Sequence, residues 1–119
     1  MKSVARIHAG LGLLCALAAG AAAAAGPASF AACAACHSTD GSKGLGPSLK
    51  GVYGSKAGSQ AGFTFSKAMK NSGIMWDDKT LDAFLTDPQK VVPGNTMPFP
   101  GVPDAAQRTE IIAYLKTVK

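Results

Sequence analysis

The chain has 119 residues, a length that accommodates one small domain at most. It has 12 basic and 7 acidic side chains, and the resulting formal charge of +5 is modest. Because no run of basic residues occurs and aromatic residues do not alternate with basic ones, we expect no nucleic-acid partner. A multidomain architecture and a nucleic-acid-binding function are therefore both excluded.

Residues 1–25 have the pattern of a secretory signal peptide. Lys2 and Arg6 form a short basic start, a Leu-rich apolar run follows, and small residues lead to a cleavage site of the Ala-x-Ala type near Ala25. A retained membrane anchor is the alternative, but the apolar run is shorter than the roughly 20 residues that a spanning helix needs. We therefore expect export to the periplasm, no stable membrane insertion, and a mature domain over residues 26–119.

Cleavage at this point changes the counts that matter for chemistry. The mature chain keeps one histidine, His37, and two cysteines, Cys33 and Cys36. Because Lys2 and Arg6 are removed, 10 basic side chains remain against 7 acidic ones, and the formal charge falls from +5 to +3. Few metal ligands and only one possible cysteine pair are left in the domain.

The mature chain has helical signals and no segment that alternates convincingly as a strand. In chain order we predict a helix over 27–38, a loop over 40–60, helices over 66–72 and 78–86, a proline-rich loop over 92–102, and a helix over 103–118. The helix over 78–86 places Leu81, Phe84 and Leu85 on one face and must end before Pro88. The predicted fold class is therefore all-α, with loops long enough to wrap a bound group.

Cys33-Ala34-Ala35-Cys36-His37 is the most specific functional signal in the chain. On one helical turn, each of the two thiols can reach one of the two vinyl groups of a porphyrin. The imidazole of the next residue then points at the iron. This pattern is typical of c-type haem attachment, so we predict one haem c bound covalently through Cys33 and Cys36, with His37 as an iron ligand.

Three other interpretations of these residues fit less well. A thioredoxin-like redox pair belongs in a βαβ setting, and the chain has no predicted strands. A structural zinc site needs about four ligands, and the mature chain offers only two cysteines and one histidine. A disulfide between Cys33 and Cys36 would constrain little of the chain and would leave the adjacent His37 unexplained.

The second axial ligand cannot be another histidine, so Met, Lys, water or no ligand remain possible. Met69 and Met75 lie in or near a predicted helix, where core packing is the preferred interpretation. Met97 instead lies in a loop stiffened by prolines, which can hold a thioether against iron at little entropic cost. We favour Met97 as the ligand over a role as an apolar loop anchor. His/Met ligation fills both axial positions, which suits outer-sphere electron transfer.

Several separate blocks between about Gly26 and Lys116 resemble class I cytochromes c, in particular the bacterial cytochromes c2 and their mitochondrial relatives. The blocks are Gly26 with Phe30, Gly46-Pro47-Ser48-Leu49, Gly73-Ile74 through Trp76, Pro93-Gly94 through Met97, and Ile112-Ala113-Tyr114-Leu115. The resemblance implies the small cytochrome c fold, in which helices and long loops wrap one covalent haem and the N- and C-terminal helices cross.

The resemblance also implies roles for individual residues. The Pro47 carbonyl would accept a hydrogen bond from His37 Nδ1–H, and Met97 would be the distal iron ligand. Trp76 would donate its indole N–H to a haem propionate, and Phe99 would pack beside the haem edge. The crossing of the first and last helices would be formed by Gly26, Phe30 and Tyr114.

The chain departs from the mitochondrial pattern at five positions near the haem. Ser55 replaces an arginine, Phe65 and Phe84 replace tyrosines, Met69 replaces an asparagine, and Asn95 replaces a threonine. Fewer hydrogen-bond donors should therefore surround the propionates and the Met sulfur. The reduction potential of the family does not carry over, because these groups help to set it. The lysines around the haem edge are also fewer, so docking to an acidic partner is only a weak expectation.

The predicted function is that of a periplasmic monohaem electron carrier. It would act as a monomer and exchange single electrons with transient donor and acceptor proteins, without a catalytic residue. An electron-delivery subunit of a periplasmic oxidoreductase is the main alternative. A small haem peroxidase or a gas-binding module ranks lower, because each needs an open distal position and a peroxidase also needs an acid–base residue beside it.

Overall fold

The structure is a computed structural model that describes residues 26–119, so the predicted signal peptide over residues 1–25 lies outside the described residues. In chain order the described helical segments are a 3₁₀ turn over Ala28–Phe30, α1 over Ala31–Ala34, α2 over Lys67–Lys70, α3 over Asp78–Thr86, α4 over Pro88–Val91 and α5 over Ala105–Leu115. Residues 26–119 contain no strand, and a single isolated bridge pairs Lys56 with Met75. The predicted all-α fold is confirmed.

Helix α3 has the predicted bounds because its ends are determined by local chemistry. Asp77 accepts a hydrogen bond from the Thr80 N–H at 2.8 Å, and Thr80 Oγ1 accepts one from the Asp77 N–H at 2.9 Å. This reciprocal pair is a capping arrangement that satisfies two free donors at the helix start. The sequence analysis did not predict α4, which begins directly at Pro88. Its first turn is capped by Asp87, which accepts from the Lys90 N–H.

Three predicted helices are shorter in the structure than in the prediction. Helix α1 ends at Ala34 rather than near residue 38, and α2 covers only the four residues that follow its cap at Ser66. Helix α5 begins after Asp104, whose extended backbone and side-chain bond to the Gln107 N–H mark it as the N-cap. Because an N-cap residue is not helical, Pro103 lies outside the helix. The helix ends at Leu115.

The first and last helical segments cross at close range, as predicted. The rings of Phe30 and Tyr114 meet edge to face, with centroids 4.8 Å apart. A Cβ atom at Gly26 would lie only 2.8 Å from Tyr114 Cε1, and Gly26 also has a φ of +85°. Glycine is therefore required at this position both by space and by backbone conformation.

The core lies between α3, α5 and the loops that precede them. The two helices contribute the buried side chains Leu81, Phe84, Leu85, Ile111, Ile112 and Leu115. Core packing is confirmed for Met69, which is partly buried against this cluster. It is wrong for Met75, which is 52% exposed because it lies in an extended segment and not in a helix. None of the helices within residues 26–119 is long and apolar enough to cross a membrane.

Candidate functional site

A mostly apolar cavity of about 510 Å³ lies at the centre of the described residues. This volume is in the range of about 300–1,000 Å³ that is typical of small-molecule and cofactor sites. The fold brings all seven predicted site residues to its wall, namely Cys33, Cys36, His37, Pro47, Trp76, Met97 and Phe99. They come from α1, from the loop after it, from the segment before α3 and from the loop before α5.

One wall of the cavity is formed by the turn that follows α1. The N–H groups of Cys36 and His37 both donate to the Cys33 carbonyl, at 3.1 Å and 2.9 Å. This turn presents two free thiols and an imidazole to the same cavity. Burial raises the pKa of the Cys33 thiol. Residues 26–119 contain no strand and therefore lack the βαβ setting of a thioredoxin-like pair.

The His37 ring is fixed by its contact with the next loop. His37 Nδ1 lies 2.7 Å from the Pro47 carbonyl oxygen. Because a carbonyl oxygen can only accept, Nδ1 carries the proton of this bond, and Nε2 is the ring nitrogen left for another partner. Ligating histidines are commonly oriented by a bond of this kind.

Gly46 allows this contact, and the sequence analysis did not single it out as a site residue. A Cβ atom at Gly46 would lie 2.6 Å from His37 Cε1 and 2.9 Å from Nδ1, so a side chain there would collide with the ring. The Gly46 N–H also donates to the Cys36 carbonyl at 2.8 Å. Its position directly before Pro47 was the only signal that could have identified it.

The Met97 loop forms another part of the wall, and its backbone is held by a side chain. The Met97 N–H donates to Asn95 Oδ1 at 3.0 Å, and the Met97 carbonyl accepts from the Phe99 N–H at 2.9 Å. Asn95 is 7% exposed and also lines the cavity. The sequence analysis noted Asn95 only as a departure from the usual threonine. A short polar residue two positions before a candidate ligand is the signal that could have identified its role.

Trp76 lies against the core side of the cavity. It is 5% exposed, and its ring packs against Phe84 with centroids 5.0 Å apart. The indole N–H makes no hydrogen bond within residues 26–119, and it is an accessible donor, because every fully buried side-chain nitrogen or oxygen of these residues has a partner. This orphaned donor at the cavity wall is available to an acceptor on a bound group.

The donor set of the cavity fits a haem. Two thiols on one turn, an oriented imidazole, a thioether and an indole N–H surround a space whose remaining wall is mostly apolar, with Ser66, Asn95 and Thr96 as its polar members. No Asp, Glu, Lys or Arg is among the described residues that line the cavity. An apolar wall of this size suits a large flat porphyrin, and the unpaired N–H suits one of its carboxylates.

Comparisons with known proteins agree with this chemistry. The family model for cytochrome c matches residues 23–119. Cytochrome c2 iso-2 of Magnetospirillum fulvum is 51% identical over 83 residues, which span 69% of this chain and 86% of that protein. Cytochrome c of Trypanosoma brucei brucei is 47% identical over 79 residues, which span 66% and 85% of the two chains. The chain belongs to the cytochrome c family.

A solved structure also resembles this cytochrome c along most of its length. Cytochrome cH from Methylobacterium extorquens superimposes with a TM-score of 0.74 and is 52% identical, covering 80% of this chain and 97% of that one. The resemblance to class I cytochromes c is therefore confirmed. As a class I cytochrome c, the protein carries one covalently attached haem c and is an electron-transfer protein, not an enzyme.

Proposed function

We propose that this cytochrome c is an exported one-electron carrier whose haem is bound covalently by Cys33 and Cys36 and ligated by His37 and Met97. One observation carries the proposal. A single cavity is lined by both thiols, by an imidazole oriented through Pro47, and by a thioether in a braced loop. The two thiols would anchor a haem covalently, and the imidazole and thioether would ligate its iron.

The proximal residues would attach and orient the group. Cys33 and Cys36 would each form a thioether, which ties the haem to the turn after α1. His37 would present Nε2 to the iron while its Nδ1–H donates to the Pro47 carbonyl, 2.7 Å away. This second bond fixes the plane of the ring and raises its basicity as a ligand. When bound, the haem supplies an iron that cycles between the ferric and ferrous states.

The remaining site residues would control the surroundings. Met97 would fill the second axial position, and a thioether ligand raises the reduction potential. Trp76 would donate its unpaired indole N–H to a haem propionate, and Phe99 would pack beside the haem edge. Apolar side chains would exclude water, so that the iron changes its charge in a medium of low dielectric constant.

Export to the periplasm is part of the proposal. The basic start, apolar run and small residues of 1–25 are typical of a signal peptide that is cleaved near Ala25. The cytochrome c match begins at residue 23, close to that site. The domain over residues 26–119 would then act as a monomer that docks transiently with a donor and an acceptor protein.

An electron-delivery subunit of a periplasmic oxidoreductase is the second candidate, and it shares the same closed site. Peroxidase activity is less well supported. Proton transfer to or from peroxide needs a titratable group beside an open distal position. Of the described residues that line the cavity, His37 and the two cysteines are the only titratable ones, and all three are assigned to attachment and ligation. A gas-binding function would likewise require that Met97 leave the iron.

Replacement of Met97 by Ala tests the ligand assignment. The purified holoprotein should become open at one axial position and bind carbon monoxide in the reduced state. The potential should fall by more than about 59 mV, the one-electron equivalent of a tenfold change in the ferric-to-ferrous ratio. The measurement is a visible spectrum recorded during a redox titration.

Met75→Ala is the matched control for that experiment. Met75 is 52% exposed and does not line the cavity, so its removal should leave the spectrum and the potential unchanged. If Met97→Ala kept the parent spectrum and potential, Met97 would not be a ligand. If only Met75→Ala changed them, the assignment would pass to Met75.

A further inference from the structure

We propose that Asn95 is a positioning residue that holds Met97 at the iron. This inference rests on the proposed role of Met97 as the distal ligand. Asn95 is the one polar side chain that is buried within residues 26–119, at 7% exposure. A buried amide must satisfy both its donor and its acceptor groups, so its surroundings specify where it sits.

The Asn95 side chain joins two parts of the chain that meet at the cavity. Its Nδ2 donates to the carbonyl oxygens of Pro88 and Val92, at 3.0 Å and 2.9 Å. Its Oδ1 accepts from the Met97 N–H at 3.0 Å. One amide therefore bonds the first residue of α4, the residue after α4, and the backbone of the proposed ligand.

The anchor at α4 is rigid. Pro88 is among the most completely buried side chains of the described residues, and its carbonyl also accepts from the Val92 N–H at 3.0 Å. Gln89 braces the same loop, because its Nε2 donates to the Asn95 carbonyl at 2.8 Å and its Oε1 accepts from the Gly94 N–H at 3.2 Å. The Met97 backbone is thus tied through Asn95 to a buried residue of α4 as well as to its own loop.

The consequence concerns release of the ligand. Met97 can leave the iron by a rotation of its side chain or by a movement of its backbone. The backbone movement would break the bond from the Met97 N–H and leave Oδ1 without a partner, while Nδ2 stays bonded to the carbonyls of Pro88 and Val92. An unsatisfied buried polar group is costly, so Asn95 favours the state in which Met97 stays in place. Ligands from solution that need an open distal position are thereby disfavoured.

A hydroxyl side chain could make only part of this arrangement. Serine and threonine can bond a backbone N–H two residues on, as Asn95 does, but more weakly. They cannot also donate to two carbonyl groups at once, because a hydroxyl has a single hydrogen. The bridge from Pro88 and Val92 to Met97 therefore requires the amide. This feature is specific to Asn95 and distinguishes the chain from the threonine pattern of its mitochondrial relatives.

The test is the affinity of the ferric holoprotein for added imidazole, which must displace Met97 to bind. Asn95→Ala removes all three side-chain bonds, and we expect it to bind imidazole at least about tenfold more tightly. A tenfold change corresponds to about 1.4 kcal/mol, which is the size of one to two net hydrogen bonds. Asn95→Ser retains an acceptor for the Met97 N–H, so its affinity should lie between those of the parent and of Asn95→Ala. The reduction potential should be highest in the parent, lower in Asn95→Ser and lowest in Asn95→Ala.

A merely structural role would give a different result. Asp77→Ala removes the N-cap of α3, which should lower the stability to denaturant without changing imidazole affinity or potential. If Asn95→Ala and Asn95→Ser bound imidazole within twofold of the parent while Met97→Ala opened the site, Asn95 would not position the ligand and the proposed function would stand. If Met97→Ala also left imidazole binding unchanged, Met97 would not be the ligand and both proposals would fail. If Asn95→Ala did not yield holoprotein, Asn95→Ser alone would decide between these outcomes.

Discussion

The two sides of the cavity are built in different ways. The Cys33 side depends on five consecutive residues, a single turn of backbone, and contacts with the following loop at Gly46 and Pro47. The Met97 side depends on side chains and backbone groups from α3, α4 and α5, which together span residues 78–115. The Cys33 side is thus built within one turn and the loop after it, and the Met97 side is assembled from three helices and the loops between them.

This difference indicates on which side of the haem a ligand can be exchanged. In the proposed holoprotein, the Cys33 side would be joined to the haem by covalent bonds that do not break during function. The Met97 side would be held by hydrogen bonds and packing alone, each contributing about 1 kcal/mol net. Local opening begins where few such contacts must be broken. Ligand exchange should therefore occur on the Met97 side, and variants there should change ligation more than equally destabilising variants on the other side.

Gly101→Ala should have the largest effect on stability, because it should disrupt the loop that carries Met97. Gly101 has a φ of +118°, and an added Cβ would collide with the Thr86 carbonyl oxygen and lie 2.9 Å from its carbon. The next residue, Val102, donates its N–H to the Leu85 carbonyl at 2.6 Å, so the backbone has no room to retreat. Conformational strain and overpacking together should lower the free energy of unfolding by on the order of 3 kcal/mol. Denaturant unfolding measures this loss.

Gly54→Ala separates the two causes of that loss of stability, which are backbone strain and the collision with Thr86. Gly54 also has a positive φ, of +83°, but its added Cβ would have no atom within 4 Å. It should therefore show the conformational strain without the collision, and it should not affect Met97 ligation. Equal losses of stability for the two variants would mean that the contact with Thr86 is unimportant, contrary to this prediction.

The Cys33 side of the site was the easier one to predict from sequence. The spacing of Cys33, Cys36 and His37 defines their geometry because one helical turn brings them together whatever surrounds them. Helix α3 was predicted with its bounds because Leu81, Phe84 and Leu85 share one face and Pro88 limits its end. Where the determining chemistry lies within a few residues of the element, the sequence pattern is sufficient.

The assembled side was predicted only in part. Met97 was singled out from its proline-rich loop, but the bonds from Asn95 to Pro88 and Val92 were not predicted, although these residues lie only seven and three positions away. The four-residue α4 gives no periodic signal, and Gly46 is defined by its distance to a ring nine residues away. Met75 was expected in the core because the prediction treated its extended segment as near a helix. The folded backbone decided each of these cases.

Gly46→Ala should have an intermediate effect, and it tests the Cys33 side. The added Cβ would lie 2.6 Å from His37 Cε1, so the ring would have to turn away from Pro47. Overpacking of this kind costs roughly 2 kcal/mol of stability. Because the thioethers would retain the haem, we expect a small shift in potential and no gain in imidazole affinity, in contrast to Asn95→Ala. Redox titration and imidazole binding measure the two quantities.

Ser48→Ala is the control within the same loop. Its hydroxyl accepts from the N–H groups of Gly41 and Lys50, so its loss would loosen the loop without touching the ring. Stability should fall while the potential stays unchanged. If Gly46→Ala gained as much imidazole affinity as Asn95→Ala, ligand exchange would not be specific to the Met97 side.

Arg108→Ala should have the smallest effect on stability. It should loosen the contact between α5 and the loop that carries Met97. Arg108 Nη1 donates to the carbonyls of Val102 and Pro103 at 2.9 Å and 3.0 Å, and Nε donates to Asp82 Oδ1 at 2.8 Å. The Asp82 side chain is 47% exposed, so the ion pair itself contributes little. We expect a loss of about 1–2 kcal/mol, mainly from the two carbonyl contacts, measured by denaturant unfolding.

Asp82→Asn isolates the ion pair, because it removes the charge and leaves the bonds from Arg108 to the backbone in place. Its effect should be at most about 0.5 kcal/mol and should shrink further at high salt, where exposed charges are screened. Imidazole affinity should change by less than twofold in both variants, since Asn95 still holds the Met97 N–H. If Asp82→Asn destabilised the protein as much as Arg108→Ala, the ion pair and not the carbonyl contacts would join α5 to this loop. The Met97 side would then depend on ionic strength, which the Cys33 side does not.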